Sequence, residues 1–136
     1  MFIIKNTFQK TFEPIVQAEN INVAQALILF NIDNKHMINI KQLTQDLEIN
    51  QGNTSLMCKN LEKLGLIERT RNPEDERMVT LTLTCQGKKI KDNIERKLKE
   101  IDDYFIGIPK EKFDKIIDGI ETLGEVLQTS KQEQNI

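Results

Sequence analysis

The sequence contains few of the side chains that build metal centres or disulfide frameworks. It has two cysteines, Cys58 and Cys85, and a single histidine, His36, among 136 residues. Two thiols cannot form the dense disulfide network of a small secreted domain, and the four ligands of a closed zinc site would have to be scattered. We therefore predict a reducing compartment, no metal and no cofactor.

A long apolar run is also missing. The longest uninterrupted run covers residues 26–30, far short of the ~20 residues that a membrane-spanning helix needs. The first residues show no basic segment followed by a long apolar core, so no secretory signal is visible. These features predict a soluble, cytoplasmic protein with no membrane partner.

The chain has no excess of positive charge. Its 19 basic and 21 acidic side chains give a net charge of -2 and a sequence pI near 5.5. The molecule as a whole therefore has no positive field to attract nucleic acid. Any binding to nucleic acid must come from a local arrangement of side chains.

Catalytic motifs are absent from the sequence. It contains no G-x-x-x-x-G-K-[ST] phosphate loop and no G-x-S-x-G nucleophile elbow. The only histidine, His36, lies in a polar segment. Asp102 and Asp103 are adjacent in sequence, so on a helix their carboxylates would diverge instead of sharing a proton. We predict that the protein is not an enzyme and has no catalytic residue.

Helix breakers are rare, because the chain has only three prolines and six glycines. Apolar residues at steps of three and four predict long helices. Asn22, Asn39 and Asn50 precede such segments, and an asparagine side chain can accept a hydrogen bond from a free amide of the first turn. The third of these helices is expected to run to about Leu64, with Thr54, Met57, Cys58, Leu61 and Leu64 inward, and to end at Gly65.

Two strand-like runs follow, over residues 67–71 and 78–83. In the second, Val79, Leu81 and Leu83 alternate with threonines and are expected to point inward. Turn formers at residues 72–75 join the runs into a hairpin with an exposed tip. Two further helices are predicted from Thr84 and from about Glu111, separated by residues 107–109, and the chain from Thr129 onward is expected to fray.

Three helices followed by a hairpin are typical of a winged helix-turn-helix. The residues that carry the pattern are Ile21-Asn22-x-x-Gln25-x-x-Ile28-Leu29, Leu61-Glu62-x-x-Gly65-Leu66-Ile67-x-Arg69 and Asp75-x-Arg77-x-Val79-x-Leu81-x-Leu83-Thr84-x-x-Gly87. In these the sequence resembles the MarR family of bacterial transcriptional regulators, without a gap from Leu43 to Gly87.

That resemblance implies the fold class and the organisation of the chain. We expect a mainly α protein with a small β-hairpin, in which a winged helix-turn-helix is flanked by N- and C-terminal dimerisation helices. The expected boundaries are one MarR-type domain over residues 1–136, with the winged helix-turn-helix at about 34–87. The dimerisation helices are expected at about 2–20 and 105–130.

The helix predicted from Asn50 has a polar side suited to reading DNA. Asparagine and glutamine can bond to adenine, lysine reaches guanine or phosphate, and an aliphatic side chain can touch a thymine methyl group. Free amides at a helix N-terminus suit a backbone phosphate. Leu56 stands where the family often has a basic residue, which favours operators rich in A and T. The candidate contacts are Gln51, Gly52, Asn53, Ser55, Leu56, Lys59 and Asn60; a merely solvated helix face is the alternative.

Three of the four arginines, Arg69, Arg71 and Arg77, fall within nine residues around the hairpin. This clustering suggests a contact of the wing with phosphate or a narrow minor groove. The resemblance implies that Arg77 reads the minor groove and that Asp75 orients the wing arginines. A plain turn residue at Asp75 and a surface ion pair at Arg77 are the alternatives.

Charge in this region is balanced. Residues 50–77 contain five basic and five acidic side chains, so DNA binding requires the acids to face away from the duplex. Lys88, Lys89 and Lys91, which follow the second strand, could add phosphate contacts and a dependence on salt.

Apolar side chains near both ends exceed what a small winged helix can bury, which implies a partner surface. We predict a homodimer, although packing within one subunit is the alternative for any single residue. A two-fold dimer would place two recognition helices about one turn of DNA apart, so the operator would be an inverted repeat. The dimerisation candidates are Phe8, Phe12, Phe113, Ile116, Ile120, Leu123 and Leu127.

The predicted function is a dimeric, sequence-specific DNA-binding transcriptional regulator, most simply a repressor. The resemblance further implies release from DNA by a small aromatic ligand. A winged-helix module that docks a protein without binding DNA is one alternative, which the acidic pI would suit. A thiol redox sensor using Cys58 or Cys85 is another, although the peroxide-sensing branch of the family uses an N-terminal-helix cysteine that this sequence lacks.

Overall fold

The computed structural model describes residues 2–71, 73–75 and 77–134; of these, the side chains of residues 4, 105 and 132–134 lie outside the description. Within these ranges, no helix is both long enough and apolar enough to cross a bilayer. Six helices and two strands follow one another as α1 (Phe2–Gln17), α2 (Val23–Lys35), α3 (Ile40–Leu47), α4 (Gln51–Lys63), β1 (Ile67–Arg71), β2 (Val79–Leu83), α5 (Cys85–Ile106) and α6 (Lys110–Gln134).

Two compact units make up the chain, Met1–Leu98 and Lys99–Ile136. The first contains α1 to α4, the hairpin and most of α5, and the second contains the end of α5 and α6. The mainly α architecture with one hairpin confirms the predicted fold class. The predicted domain boundaries stay a prediction.

The three asparagine caps are confirmed. Asn22 Oδ1 accepts from the Gln25 amide at 2.8 Å, and Gln25 Oε1 accepts from the Asn22 amide at 3.0 Å. Asn39 and Gln42 form the same reciprocal pair at the start of α3, and Asn50 Oδ1 accepts from the Asn53 amide at 2.8 Å. Each cap satisfies an amide that the first helical turn leaves free, which fixes where α2, α3 and α4 begin.

Helix α2 continues past Phe30, where the apolar run of the sequence ends. Residues 34–35, which are polar and typical of a turn, belong to its last turn; the helix ends at Lys35, and the capping residue His36 has a φ of 60°. The helix can continue through residues 33–35 because these polar residues lie on its outer side, while its inner positions Ile28, Leu29 and Ile32 are buried.

The core of the first unit lies between α2, α3, α4 and the hairpin. Its fully buried side chains include Leu29, Leu43, Leu61 and Leu81. On α4, Thr54, Cys58 and Leu61 are buried as predicted and Met57 is partly buried. The inward prediction for Leu64 is wrong: the helix ends at Lys63, and Leu64 is 53 % exposed. Gly65, at a φ of 72°, then turns the chain towards β1, as its predicted role requires.

The hairpin is a two-stranded antiparallel sheet in which Ile67 lies opposite Leu83 and Arg71 opposite Val79. The second strand begins at Val79, one residue later than predicted, and of its three inward residues only Leu81 is fully buried. The Leu81 amide donates to the carbonyl of Ile38 at 2.7 Å. This single bridge, which sequence reasoning missed, covers part of the outer edge of β2.

A close junction explains the Leu83-Thr84-x-x-Gly87 motif. The Thr84 hydroxyl donates to the Gly65 carbonyl at 2.6 Å and accepts from the Gly87 amide at 3.0 Å. A Cβ atom at Gly87 would lie 1.9 Å from the Leu66 carbonyl oxygen. Thr84 therefore begins α5 and connects it by hydrogen bonds to the turn after α4. At position 87, only glycine fits against the Leu66 carbonyl.

Lys91 is buried on α5, so the phosphate contact expected of it is wrong. Its ammonium lies 2.8 Å from a carboxylate oxygen of Asp33, 2.8 Å from Asp92 and 3.1 Å from Glu95. The hydrogen bond to Asp33, followed by that to Asp92, raises the pKa of Lys91 above its ordinary value. The hydrogen bond between Lys91 and Asp92 lowers the pKa of Asp92. The group joins α5 to α2 and is not available to DNA.

Helix α6 carries the predicted apolar seam on exposed positions. It begins at Lys110 and is helical to Gln134, five residues beyond Thr129, from which the sequence predicted fraying. Residues 135–136 of that predicted segment lie outside the described residues. The Thr129 and Ser130 hydroxyls bond to carbonyls one turn earlier, at Glu125 and Val126, as helical geometry allows. Leu123 is partly buried, whereas Phe113, Ile116, Ile120 and Leu127 are exposed.

The aromatic dimerisation candidates of α1 contact each other. Phe8 is exposed, and its ring centroid lies 4.8 Å from that of the half-buried Phe12.

Candidate nucleic-acid interface

The outer face of α4 is polar and open. Buried Thr54, Cys58 and Leu61 fix the helix to the core, which leaves the opposite face in solvent. Leu56 is 59 % exposed in the middle of that face. Of the remaining candidates, Ser55 is half-buried and the others are exposed: Gln51, Gly52, Asn53, Lys59 and Asn60.

The N-terminus of α4 is suited to an anion. Asn50 caps the helix through the Asn53 amide, and helical geometry leaves the amides of Gln51 and Gly52 without partners inside the helix. A Cβ at Gly52 would meet its nearest atom at 3.5 Å, an ordinary contact. A larger side chain would therefore fit at position 52 without a clash inside this chain.

Asp75 shapes the tip of the hairpin. Its carboxylate accepts from the Arg77 amide at 3.1 Å, and its carbonyl accepts from the Met78 amide at 3.0 Å. Both bonds go to backbone amides, as expected of a plain turn residue, and the orientation of the wing arginines by Asp75 stays a prediction. Arg71 and Arg77 are both exposed. Asn72, which is part of the predicted tip, and Glu76 lie outside the described residues.

Arg69 differs from the other two arginines. Its Nε lies 3.0 Å from Glu62 Oε2, with side chains 28 % and 42 % exposed respectively. The N–H does not point at the carboxylate closely enough for a hydrogen bond, and Nη2 is buried without a hydrogen-bond partner in the described part of the chain. Arg69 was predicted to contact DNA, whereas its charge lies beside an acid of α4 in the structure.

A small basic cavity lies between the start of α3 and the tip end of the hairpin. It has a volume of about 320 Å³, and Lys41, Arg69 and Arg77 contribute its positive charge. Sequence reasoning missed Lys41, because it stands in the first turn of α3, far from the arginines in sequence. Its exposed position at the start of a capped helix is the signal that could have found it. Lys88, on the first turn of α5, is exposed as expected.

The cysteines differ in exposure. Cys58 is fully buried, and burial raises the pKa of its thiol to about 11, with Arg69 partly offsetting and Glu62 adding to the shift. A thiol reacts as its thiolate, so Cys58 is almost unreactive at neutral pH. Cys85 is exposed at the start of α5.

The sequence model of the family described as "Transcriptional regulator SarA/Rot" matches residues 10–94, which is more than half of the chain. The chain belongs to this SarA/Rot family. It is therefore a transcriptional regulator of the MarR/SarA type, which confirms the regulator class and the MarR resemblance. The matched residues include α2, α3, α4 and the hairpin, the elements that form the candidate interface.

Named relatives of this SarA/Rot family member are also regulators. The organic hydroperoxide resistance transcriptional regulator of Bacillus subtilis is 28 % identical over 90 % of this chain and 81 % of its own length. The HTH-type transcriptional regulator SarZ of Staphylococcus aureus is 38 % identical over 48 % of this chain. The match covers only 44 % of SarZ, less than half of that relative's length.

Solved structures show that the SarA/Rot family member has the MarR fold. A MarR family transcription regulator aligns with a TM-score of 0.84 and 20 % identity over 98 % of this chain and 89 % of its own. Staphylococcus aureus MarR in complex with salicylate and kanamycin aligns with 0.79 and 22 % identity, over 95 % and 88 % of the two chains. A mutant MarR from Escherichia coli complexed with operator DNA aligns with 0.75 and 18 % identity, over 90 % and 89 %.

Proposed function

We propose that this regulator is a dimeric, sequence-specific DNA-binding repressor that acts in the cytoplasm on an inverted-repeat operator. The observation that carries the proposal is the exposed face of α4 beside a hairpin that presents Arg71 and Arg77 to solvent. A helix of this kind fits the major groove, and arginines on a wing suit phosphates or the adjacent minor groove. The fold is shared with an Escherichia coli MarR mutant complexed with operator DNA.

Base reading is assigned to the exposed middle of α4. Asn53 and Asn60 have the amide groups that bond to adenine, and exposed Leu56 is suited to a thymine methyl group. Lys59 is suited to guanine or phosphate. The composition of the face therefore favours half-sites rich in A·T pairs. Separately, the acidic pI limits the non-specific attraction to phosphate.

Dimerisation is proposed through the terminal helices. On α6, Ile120 is 61 % exposed, and the second unit has an open apolar cavity of about 620 Å³. Apolar side chains exposed along a whole helix indicate a partner surface. The proposed contacts remain Phe8, Phe12, Phe113, Ile116, Ile120, Leu123 and Leu127. The substitution Ile120→Lys should convert the dimer to a monomer in sedimentation experiments, and a dimer of unchanged stability would contradict this assignment.

A small aromatic ligand is proposed for an apolar cavity of about 320 Å³ inside the first unit. Side chains of α1, α2 and α5 line it, including Phe12, Ala26, Leu27 and Phe30. An aromatic ring matches a cavity of this size and lining, and Staphylococcus aureus MarR has been solved with salicylate. Salicylate, as the probe, should raise the thermal stability of the parent protein and weaken DNA binding. Leu27→Glu, at the half-exposed rim, should abolish both effects.

DNA binding is tested with a duplex that the parent protein selects from a random-sequence library. In a gel-shift titration at several salt concentrations, the affinity should fall as salt rises, because binding releases counterions from phosphate. Asn53→Ala combined with Arg77→Ala should abolish specific binding. Arg96→Ala, which removes the remaining arginine from an exposed position on α5, is the matched control and should bind as the parent does.

The competing proposal is a winged-helix module that docks another protein. It predicts that no duplex is selected or retarded at low salt, and that affinity for any duplex does not depend on salt. The feature that suits it is the acidic pI of the chain. Redox control through Cys58 is disfavoured by the buried, weakly acidic thiol.

A further inference from the structure

An ion pair joins the recognition helix to the wing. Glu62 lies in the last turn of α4, and Arg69 is the central residue of β1. The Arg69 Nε and the Glu62 Oε2 are 3.0 Å apart, and both side chains are partly withdrawn from solvent. Arg71 and Arg77, the other arginines of the hairpin, are exposed. The three arginines that cluster in the sequence therefore occupy two different environments.

The register of the hairpin explains this difference. Arg69 lies directly opposite Leu81, and residues opposite one another in an antiparallel pair project from the same face of the sheet. Because Leu81 is fully buried, Arg69 projects from the face of the hairpin that packs on the helices. Arg71 is two residues further along the same face, where the strand has extended beyond the core.

The ion pair between Arg69 and Glu62 also affects the charge of the recognition helix. Glu62 is the sole acidic residue of α4, which otherwise carries Lys59 and Lys63. If Arg69 left Glu62 to contact a phosphate, an unpaired carboxylate would remain on the recognition helix, beside a polyanion. An arginine that stays on Glu62 neutralises that acid and holds the strand against the helix at the same time.

We infer that Arg69 is a positioning residue, which fixes the wing to the recognition helix through Glu62 and does not itself contact DNA. This inference rests on the proposed DNA binding and assigns one of its candidate arginines to a different role. Arg71 and Arg77 remain as the arginines that reach DNA. The distance between α4 and the wing is then set before binding, so that both elements engage the duplex together.

The test compares Arg69→Gln with Arg71→Gln on the selected duplex over a salt series. Loss of a phosphate contact lowers the slope of log affinity against log salt by about one. We expect that reduction for Arg71→Gln only. Arg69→Gln should keep the parent slope while its affinity falls about fivefold, the size expected for a partly exposed ion pair. A slope lowered by about one in Arg69→Gln would overturn the inference.

A second comparison uses Glu62→Gln, with Glu68→Gln as the matched control because Glu68 is an exposed acid on the same strand as Arg69. Relative to this control, Glu62→Gln should weaken binding, but less than Arg69→Gln does because it leaves no unpaired carboxylate beside the DNA, and the double variant should be no weaker than Arg69→Gln. Additive losses in the double variant would contradict a shared role.

Amide hydrogen exchange in the protein without DNA separates this inference from the proposed function. Exchange in β1 and β2 should accelerate in Arg69→Gln and Glu62→Gln and stay at the parent rate in Arg71→Gln. If the parent protein selects no duplex, the proposed function fails, and the exchange rates alone decide whether Arg69 fixes the wing. Unchanged exchange in both Arg69→Gln and Glu62→Gln would overturn the inference.

Discussion

The buried lysine of α5 yields the most quantitative prediction. Lys91 is 8 % exposed, whereas its partners Asp33 and Asp92 are 27 % and 54 % exposed. Removing one member of a buried ion pair costs about 3–5 kcal/mol when the remaining charge stays buried. The carboxylates here can regain water, so we expect Lys91→Met, which keeps most of the apolar stem, to lower the free energy of unfolding by about 2 kcal/mol.

Urea unfolding at pH 7 and a fixed protein concentration measures this change. Lys89→Met is the matched control, since Lys89 is an exposed neighbour, and should stay within about 0.5 kcal/mol of the parent. Asp33→Asn combined with Lys91→Met should cost less than the sum of the two single changes. A loss below about 0.5 kcal/mol for Lys91→Met would refute the reasoning that this ion pair joins α5 to α2.

The pH dependence has a defined sign. The raised pKa of Lys91 means that its stabilisation is fully present below the unfolded value of about 10.4 and is lost as pH rises through the folded value. The lowered pKa of Asp92 means that its contribution is present above about 3.9 and is lost as pH falls through the folded value. The difference between the parent and Lys91→Met should therefore be constant near neutral pH and shrink below about pH 4.

Three further predictions concern the junction, the reading face and the thiols. Gly87→Ala should lower the free energy of unfolding by about 3 kcal/mol in thermal or urea melts, because its Cβ would lie 1.9 Å from the Leu66 carbonyl, whereas Gly52→Ala should be tolerated; equal stability of the two variants would contradict the close junction. Leu56→Gln should reduce discrimination between thymine and other bases about five- to tenfold in competition with substituted duplexes, and unchanged selectivity would remove Leu56 from the reading face. Iodoacetamide at pH 7.4 should modify the exposed Cys85 and spare Cys58 until the protein unfolds; rapid alkylation of Cys58 in the folded protein would restore the redox alternative.

Local features of the fold could be predicted because neighbouring residues determine them. The starts of α2, α3 and α4 follow from asparagines that cap their own first turns. The end of α4 follows from Gly65, since glycine readily adopts a positive φ. The helical period placed Leu64 in the core, but Leu64 is the capping residue after the end of α4 and is exposed.

Much of the candidate interface could also be read from residue types in sequence. The polar side of α4 and the exposed Arg71 and Arg77 are where the periodicity and the turn formers predicted them. What periodicity cannot supply is the partner of a charged group. Lys91 belongs to a run of lysines in sequence, yet in space it meets Asp33, 58 residues earlier in the chain.

The sequence by itself determined the order of the elements, the winged helix-turn-helix plan and the family, because caps, turns and apolar periods act over a few residues. Only the tertiary structure decided which charges are available to a ligand. Arg69 and Arg71 are the same residue type two positions apart, but packing places the first beside Glu62 and leaves the second in solvent. Electrostatic pairing depends on distance through space, which is fixed only when helix and hairpin pack together.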